Sequence, residues 1–389
     1  MTRLILSAAA LLAASCLPAL AASGGQKVGL GAVLTTADGG QIFGFDIDQN
    51  GADGVLASAQ TINAKGAARV SMETFDQNTG AIIKSFANDV GTRNEYGVEG
   101  IFAGDVALVI HFVTPKGTIF PRRFYDVMNP VTANAFTGTW TPPLNDINIR
   151  QTAENQATSA SLIFAQLKNP NKSGLSQPVL IVSDIARNTF ANIIHLDPNL
   201  FGDGTIPQLG QYTAANQAVI ALSPDGGTVG GQAPNNVLID LTSGKITQFA
   251  GFNFGPFHAG FVDGLAVDPN TGIAATTTEL NAEVEFYDLA HKTGITAVQL
   301  PCTGPTDQLS SGSGIAVDPV NKLFLVTETQ SACPGTKGGA ILVYDETGKF
   351  IESITGLGFS LGEPAPVLNP AKRIGWALIP FSHLQQFFY

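Results

Sequence analysis

The chain has 389 residues, 44% hydrophobic and 13% charged, and its 31 acidic against 20 basic residues leave a formal charge of -11. An acidic chain with scattered lysines and arginines has no electrostatic footprint for nucleic acid or for an anionic membrane surface. Its 43 glycines favour short strands and tight turns, and many-stranded folds run past about 200 residues as one domain.

The opening stretch, MTRLILSAAALLAASCLPALA, carries a basic Arg3, an apolar run from Leu4 and the small-residue pattern Ala19-Leu20-Ala21. This is the pattern of a secretory signal peptide over 1–21. The expected mature chain, 22–389, is a single secreted or periplasmic domain. The apolar run is too short to span a bilayer, and no later segment has membrane length. Cys16 leaves a second reading open, lipid attachment, although Ala13 stands where a lipobox wants leucine.

DIDQNGADGVLA, residues 46–57, has the outline of a calcium loop. Asp46, Asp48 and Asn50 occupy its first, third and fifth positions, and Gly51 its sixth. Its twelfth position is Ala57 rather than the bidentate Glu that calcium wants. The flanks QIFGF and GVLASAQT read as strands. An Asn-Gly hairpin turn accounts for every residue of the loop, so the turn is the preferred reading and the metal set Asp46, Asp48 and Asn50 the lesser one.

Strand-rich units then recur. IFAGDVALVIHFVTPKG starts at Ile101, PVLIVSDIARNTFANIIHLDP at Pro178, and VIALSPDGGTVGGQAPNNVLIDLTSGKITQF at Val219. Two clearer copies, GLAVDPNTGIAATTTE from Gly264 and GIAVDPVNKLFLVTET from Gly314, stand 50 residues apart. Each is followed by a third strand, VEFYDL or AILVYDETGKF. Self-similar strand units at roughly 40–50 residues point to an all-β β-propeller. One such sheet cannot cover both its faces, whereas a ring of sheets buries each face against a neighbour. The only helix-tolerant stretch is IRQTAENQATSASLIFAQL, residues 149–167.

Units fall near 28–60, 68–95, 98–130, 160–200, 216–250, 261–300 and 312–355, and a tail remains from Glu363. Strands near 374–379 and 384–389 need partners. Pairing them with the first unit closes the ring and removes an open sheet edge. Seven blades result; six is the alternative, if 61–97 is only the outer half of a blade. Cys302 and Cys333 lie in the Gly/Pro-rich stretches PCTGPT and ACPGTKGG. In an exported chain such an even pair reads as one disulfide.

GIAVDPVNKLFLVTET with GGAILVYDETGKF resembles an NHL-type propeller repeat, and VDGLAVDP, residues 262–269, resembles a signature of the gluconolactonase and senescence-marker-protein family. The likeness covers 261–355 well and 178–250 in part. It implies a propeller with one divalent metal, such as calcium, on its axis, polarising a lactone carbonyl. Asp263 matches the family's aspartate, and Glu99 in VEGIF matches its early glutamate. The expected asparagine falls at Ala218, with Asn216 two residues off, and Ser313 stands at the repeat position of Asp263.

A third set is positional. Asp184 in VSDIA, Thr278 in TTTEL and Glu328 in VTETQ end strands at similar places in their repeats, and His258 leads toward an inner strand. Equivalent positions of a ring converge on one rim. Asp184, His258, Asp263 and Glu328 are therefore expected in one axial cavity that takes a cation or a hydroxyl-rich ligand. The plainer reading is strand-end residues that satisfy loop amides. No G-x-S-x-G, H-E-x-x-H or phosphate-loop motif occurs. The leading expectation is an exported scaffold that binds an unknown small molecule or protein, without an integral membrane segment and with no firm cofactor. The alternative is a metal-dependent lactonase-like hydrolase centred on Asp263 and Glu99.

Overall fold

The computed structural model describes residues 28–389 except 38, 50, 62–67, 91–93, 98–101, 104–105, 114–121, 129–135, 141–146, 156–159, 168–176, 185–188, 199–200, 202–204, 225–235, 250–261, 279–282, 301–311, 329–338, 359–364 and 380–381. The signal stretch, Cys16, Asn50, Glu99, His258, Cys302 and Cys333 lie outside the described residues. Among the described residues no helix is long and apolar enough to cross a membrane.

Strands follow one another along the chain. After β1 (Gly29–Thr35) come β2 (Gln41–Ile47), β3 (Asp53–Thr61), β4 (Ala68–Asp76) and β5 (Ile82–Val90). Then come β6 (Asn94–Gly97), β7 (Phe102–Ala103), β8 (Val106–Val113), β9 (Arg122–Met128) and β10 (Phe136–Trp140). The middle of the chain holds β11 (Ile147–Asn155), β12 (Ala160–Leu167), β13 (Gln177–Asp184), β14 (Thr189–His195), β15 (Thr205–Tyr212), β16 (Gln217–Pro224), β17 (Asn236–Asp240) and β18 (Ile246–Phe249). The clear repeats form β19 (Val262–Val267), β20 (Ile273–Thr278), β21 (Glu283–Asp288), β22 (Thr293–Gln299), β23 (Gly312–Asp318), β24 (Leu323–Glu328), β25 (Ala340–Asp345) and β26 (Phe350–Thr355). The tail supplies β27 (Val367–Asn369), β28 (Ile374–Ile379) and β29 (His383–Phe388).

Five antiparallel sheets take four consecutive strands each, β2 to β5, β11 to β14, β15 to β18, β19 to β22 and β23 to β26. Another joins β6, β8, β9 and β10, with β7 on β8. The remaining sheet runs β1-β29-β28-β27, so the two ends of the described chain share it, with Gly29 opposite Phe388. The tail strands thus find the partner that the sequence reading gave them. The boundaries of the first units differ: β1 leaves 28–60 for the tail, and β2 to β5 make one sheet across 41–90. The first strands of successive sheets touch in turn, β11, β15, β19, β23, β27, β2 and β6, which puts them innermost.

Among the described residues, both faces of sheets 205–249, 262–299 and 312–355 and of the tail sheet are covered. Val219, Leu238, Ala274 and Tyr287 pack between sheets 205–249 and 262–299. Phe286, Phe324, Val326 and Leu342 pack between sheets 262–299 and 312–355. Leu325, Val343, Phe387 and Tyr389 follow between 312–355 and the tail sheet. Double coverage also explains why one pair of strands was legible only as a helix-tolerant stretch or a long inter-blade connection. Residues 149–167 are β11 and β12, a hairpin with Ile147 opposite Leu167. Its run Leu162, Ile163, Phe164 and Ala165 is wholly buried, and a strand covered on both faces loses the alternation that would separate it from a helix.

Tight turns end the strands by one repeated device. Asp76, Asp240, Asp318 and Asp345 each accept amide N–H bonds from residues two to four ahead, as Asp318 Oδ1 does from Val320 at 2.9 Å and Asn321 at 2.8 Å. Gly272, at φ +76°, closes one such turn where a Cβ would strike the Tyr212 ring. The Ser243 amide and hydroxyl hold the Asp240 carboxyl below its usual value. At Asp76 partial burial pushes upward, but the Asn78 and Thr79 amides outweigh it. At Asp345 burial is likewise outweighed, here by the Thr347 hydroxyl and amide. Folded values below the unfolded 3.8 give stability that is present above that pH and lost as pH falls below it through the folded values. Thermal melts followed by circular dichroism should therefore hold steady down to about pH 5 and drop toward about pH 3. An Asp76→Asn/Asp345→Asn variant should show a smaller drop, and an equal one would count against the turns as its source.

Tyr389 ties the tail sheet to its neighbour. It is wholly buried, and its hydroxyl donates to Asp318 Oδ2 at 3.0 Å while the Arg373 guanidinium lies over its ring. Burial, then the Asp318 charge, pushes that hydroxyl far above the usual tyrosine value. Tyr389→Phe should cost about 1–3 kcal/mol in urea unfolding, because a bond to a charged acceptor goes unmade in the interior. A loss below about 0.5 kcal/mol would show that water replaces it.

Candidate functional site

The strand order gives every sheet two unlike ends. First and third strands finish at the turn end, where the Asp turns lie. First strands begin, and second strands finish, at the other, the loop end. At the loop end β16 and β17 are separated by 225–235, β18 and β19 by 250–261, and β24 and β25 by 329–339.

The calcium-like loop belongs to the turn end. Asp46 lies in β2 and Asp48 just beyond it, both buried. The Asp48 and Gly51 carbonyls accept bonds from Gln77 Nε2 at 2.9 and 3.0 Å, and Lys372 Nζ reaches Gly51 O at 2.7 Å. Asp48 stands where Asp268, Asp318 and Asn369 stand in later sheets, after the first strand. The loop has the connectivity of a turn.

The four rim positions do not share one end. Glu328 finishes the second strand of its sheet, opposite Gly312 at the start of β23. Asp263 sits on an irregularity at the start of β19, between Val262 and Gly264. Since β19 and β23 touch, these two belong to the loop ends of adjacent sheets, with Thr278 opposite Val262. Asp184 instead finishes the third strand of its sheet, opposite Ala160 at the start of β12. That is a turn-end position, equivalent to Asp76, Asp240 and Asp345. VSDIA and VTETQ look alike in sequence, but third and second strands run in opposite directions. Asn216, in the left-handed conformation at φ 54°, bonds Thr242 Oγ1 at 2.9 Å and also belongs to the turn end.

Apart from Glu328, which it named, sequence reading missed a band of buried polar side chains toward the loop end. Thr276, Thr277, Glu285, Thr327 and Glu328 are wholly buried, and Asn236 and Glu283 nearly so. Thr327 Oγ1 donates to the Gly314 carbonyl and accepts from its amide, at 3.1 and 2.8 Å, fastening β23 where its register shifts. Burial, and next the charge of Glu328, pushes the Tyr344 hydroxyl above the usual tyrosine value. The sequence signal was present in AEVEFYDL, where glutamates alternate with apolar residues. Such alternation is ordinarily read as a solvated face, and here that face meets another sheet. Among the described residues no group of three or more His, Cys, Asp or Glu side chains gathers as a metal cluster.

No family model matches the chain, and no curated relative does. Solved structures do. A chain in the crystal structure of the mitotic checkpoint complex superposes with a TM-score of 0.59 at 11% identity, over 93% of this chain and 95% of that one. The Dos1 propeller superposes at 0.54 and 9% identity, with the same coverage. The fold is a β-propeller. At these identities the likeness speaks for the fold alone, and what a propeller does depends on its sites. In propeller terms, the first strands line the axis, and Asp263 and Glu328 belong to one end of adjacent blades.

Proposed function

We propose that the chain is an exported, seven-bladed β-propeller that binds a polar ligand or partner at its loop end. The observation that carries this reading is the contrast between its ends. The turn end is closed by aspartates spent on their own amides, while buried hydroxyl, amide and carboxylate groups of three consecutive blades collect toward the loop end. Glu328 supplies negative charge there, which favours a cation or a hydroxyl-rich ligand. Counting the five-stranded sheet as a blade with the six four-stranded ones supports seven. Thermal-shift screening against cations and polyols tests the site: a hit should vanish in an Asp263→Asn/Glu328→Gln variant whose unliganded melting is little changed. Hits that survive in that variant would move the site elsewhere.

Export rests on the signal pattern of 1–21. An exported chain favours a Cys302–Cys333 disulfide; in sequence Cys302 lies between β22 and β23 and Cys333 between β24 and β25, connections whose described ends include the paired residues Gly312, Glu328 and Ala340. Mass spectrometry of the non-reduced mature protein should find a chain starting at Ala22 with that bridge, and two free thiols would refute it. The second reading, a lactonase-like hydrolase kin to the gluconolactonase family, draws on Asp263 at the loop end of an inner strand. The turn-end position of Asn216 speaks against it. Lactone hydrolysis that chelator abolishes and Asp263→Ala removes would establish it over the scaffold reading.

A further inference from the structure

Each sheet ends in an outermost strand that no further strand joins among the described residues: β1, β5, β10, β14, β18, β22 and β26. Such an edge is a template for any chain that can lie beside it, and proteins commonly blunt it with charge or proline. Here that protection is thin. β1, β10, β14, β18 and β22 contain no Lys, Arg, Asp, Glu or Pro, and only β5 and β26 carry charge. Exposed apolar side chains lie along these strands, Val33, Ile83, Ile295 and Phe350 among them.

Six of the seven share a different feature, one extra residue that interrupts the pairing as a β-bulge. In β5, β14, β22 and β26 it falls at one register, between the partners of the two residues before the aspartate that ends the third strand. The extra residues there are Ile83, Ala191, Ile295 and Ile351, all exposed. β1 slips between Leu30 and Val33, and β10 between Phe136 and Gly138. Side chains hold the β1 bulge: Gln385 Nε2 donates to the Gly31 and Ala32 carbonyls, and the Ala32 amide donates to Gln386 Oε1, each at 3.1 Å. The preceding turn does not impose the slip. The Asp76 and Asp240 turns match, with the Gly80 and Gly244 amides on the aspartate carbonyls and the aspartate amides on Ala81 and Lys245. β5 bulges after its turn, whereas β18 runs on in register. β18 is also the shortest of these edges, at 4 residues.

We propose that these bulges keep the protein from pairing edge to edge with its own copies. An extra residue breaks the ladder, bends the strand and raises its twist, so a second edge cannot follow it. The distribution fits that role. Every outermost strand longer than β18 carries a bulge, and a very short edge is a poor template in itself. Deleting Ile83, Ile295 or Ile351 removes no strand pair, because the residues on either side already face consecutive partners. Pairing within the sheet therefore gives no reason for them.

The test is the full mature protein lacking Ile83, Ile295 and Ile351, with association read by sedimentation velocity. The parent should stay one species, while the deletion variant's mean mass rises at least about twofold over about a hundredfold rise in concentration. At the lowest concentration the two should melt at the same temperature. Adding Ser85→Lys, Thr293→Lys and Ser353→Lys should return the deletion variant to the parent's mass, because charge then blunts the restored edges. Ile83→Asn/Ile295→Asn/Ile351→Asn keeps the bulges, removes only exposed apolar side chains, and should sediment as the parent does. The proposal is overturned if the deletion variant keeps the parent's mass, if the lysines leave its association unchanged, or if the asparagine variant associates. It is equally overturned if the parent itself associates in a way that the three lysines abolish. A deletion variant that melts well below the parent would also overturn it, since the bulges would then serve the curvature of the sheets themselves.

Discussion

Trp376→Ala should lower the unfolding free energy by about 3–5 kcal/mol, the range for truncating a large buried aromatic. Trp376 is wholly buried where the tail sheet meets sheet 41–90, edge-on to Phe75 at 5.3 Å between ring centroids. Its Nε1 donates to the Gln77 carbonyl at 3.0 Å. Alanine removes the ring, leaves a cavity against Phe75 and takes a donor from a buried carbonyl, and these losses act in the same direction. Denaturant titration should show the midpoint falling with its slope unchanged. A loss under about 1 kcal/mol would mean that the two sheets can repack without this anchor.

Gln77→Leu should cost about 2–4 kcal/mol at the same seam by stranding several buried polar groups at once. The Gln77 amide donates to two carbonyls, Asp48 and Gly51, and its Oε1 accepts from Asn369 Nδ2 at 2.9 Å. Leucine has similar bulk but no polar atom, so shape is roughly kept and bonding is lost. Asn369→Leu should cost a comparable amount alone and much less once Gln77 is leucine, because both belong to one network. Additive costs in a double-mutant cycle would contradict the direct Gln77–Asn369 bond.

The seam also shows where sequence reading succeeds. Repeats such as GLAVDPNTG and GIAVDPVNK carry strand, turn and period together, and the tail strands lacked partners until the first strand was assigned to them. Burial and turn chemistry are local enough to be written into short stretches. Asp184 was misplaced because strand direction is a property of the sheet: its motif could end a second or a third strand equally well. Glu283, Glu285 and Thr276 escaped notice because alternation says which residues share a face and is silent on what covers that face. Only the neighbouring sheet makes that face an interior one. Asp48, by contrast, was legible as a turn from its own neighbours, since Asn50-Gly51 already favours one.

The pairing of Gly29 with Phe388 also sets an order in time. Most strands meet partners a few residues away, at small cost in loop entropy, and can pair while the chain is still being made. β1 cannot. The first strand to emerge must wait for one of the last, with Leu34 and its neighbours still uncovered until β29 arrives. Closure is thus a late step, separate from the folding of the individual sheets. A chain crossing a membrane as an extended thread, with its ring shut only after passage, would keep that step for the far side.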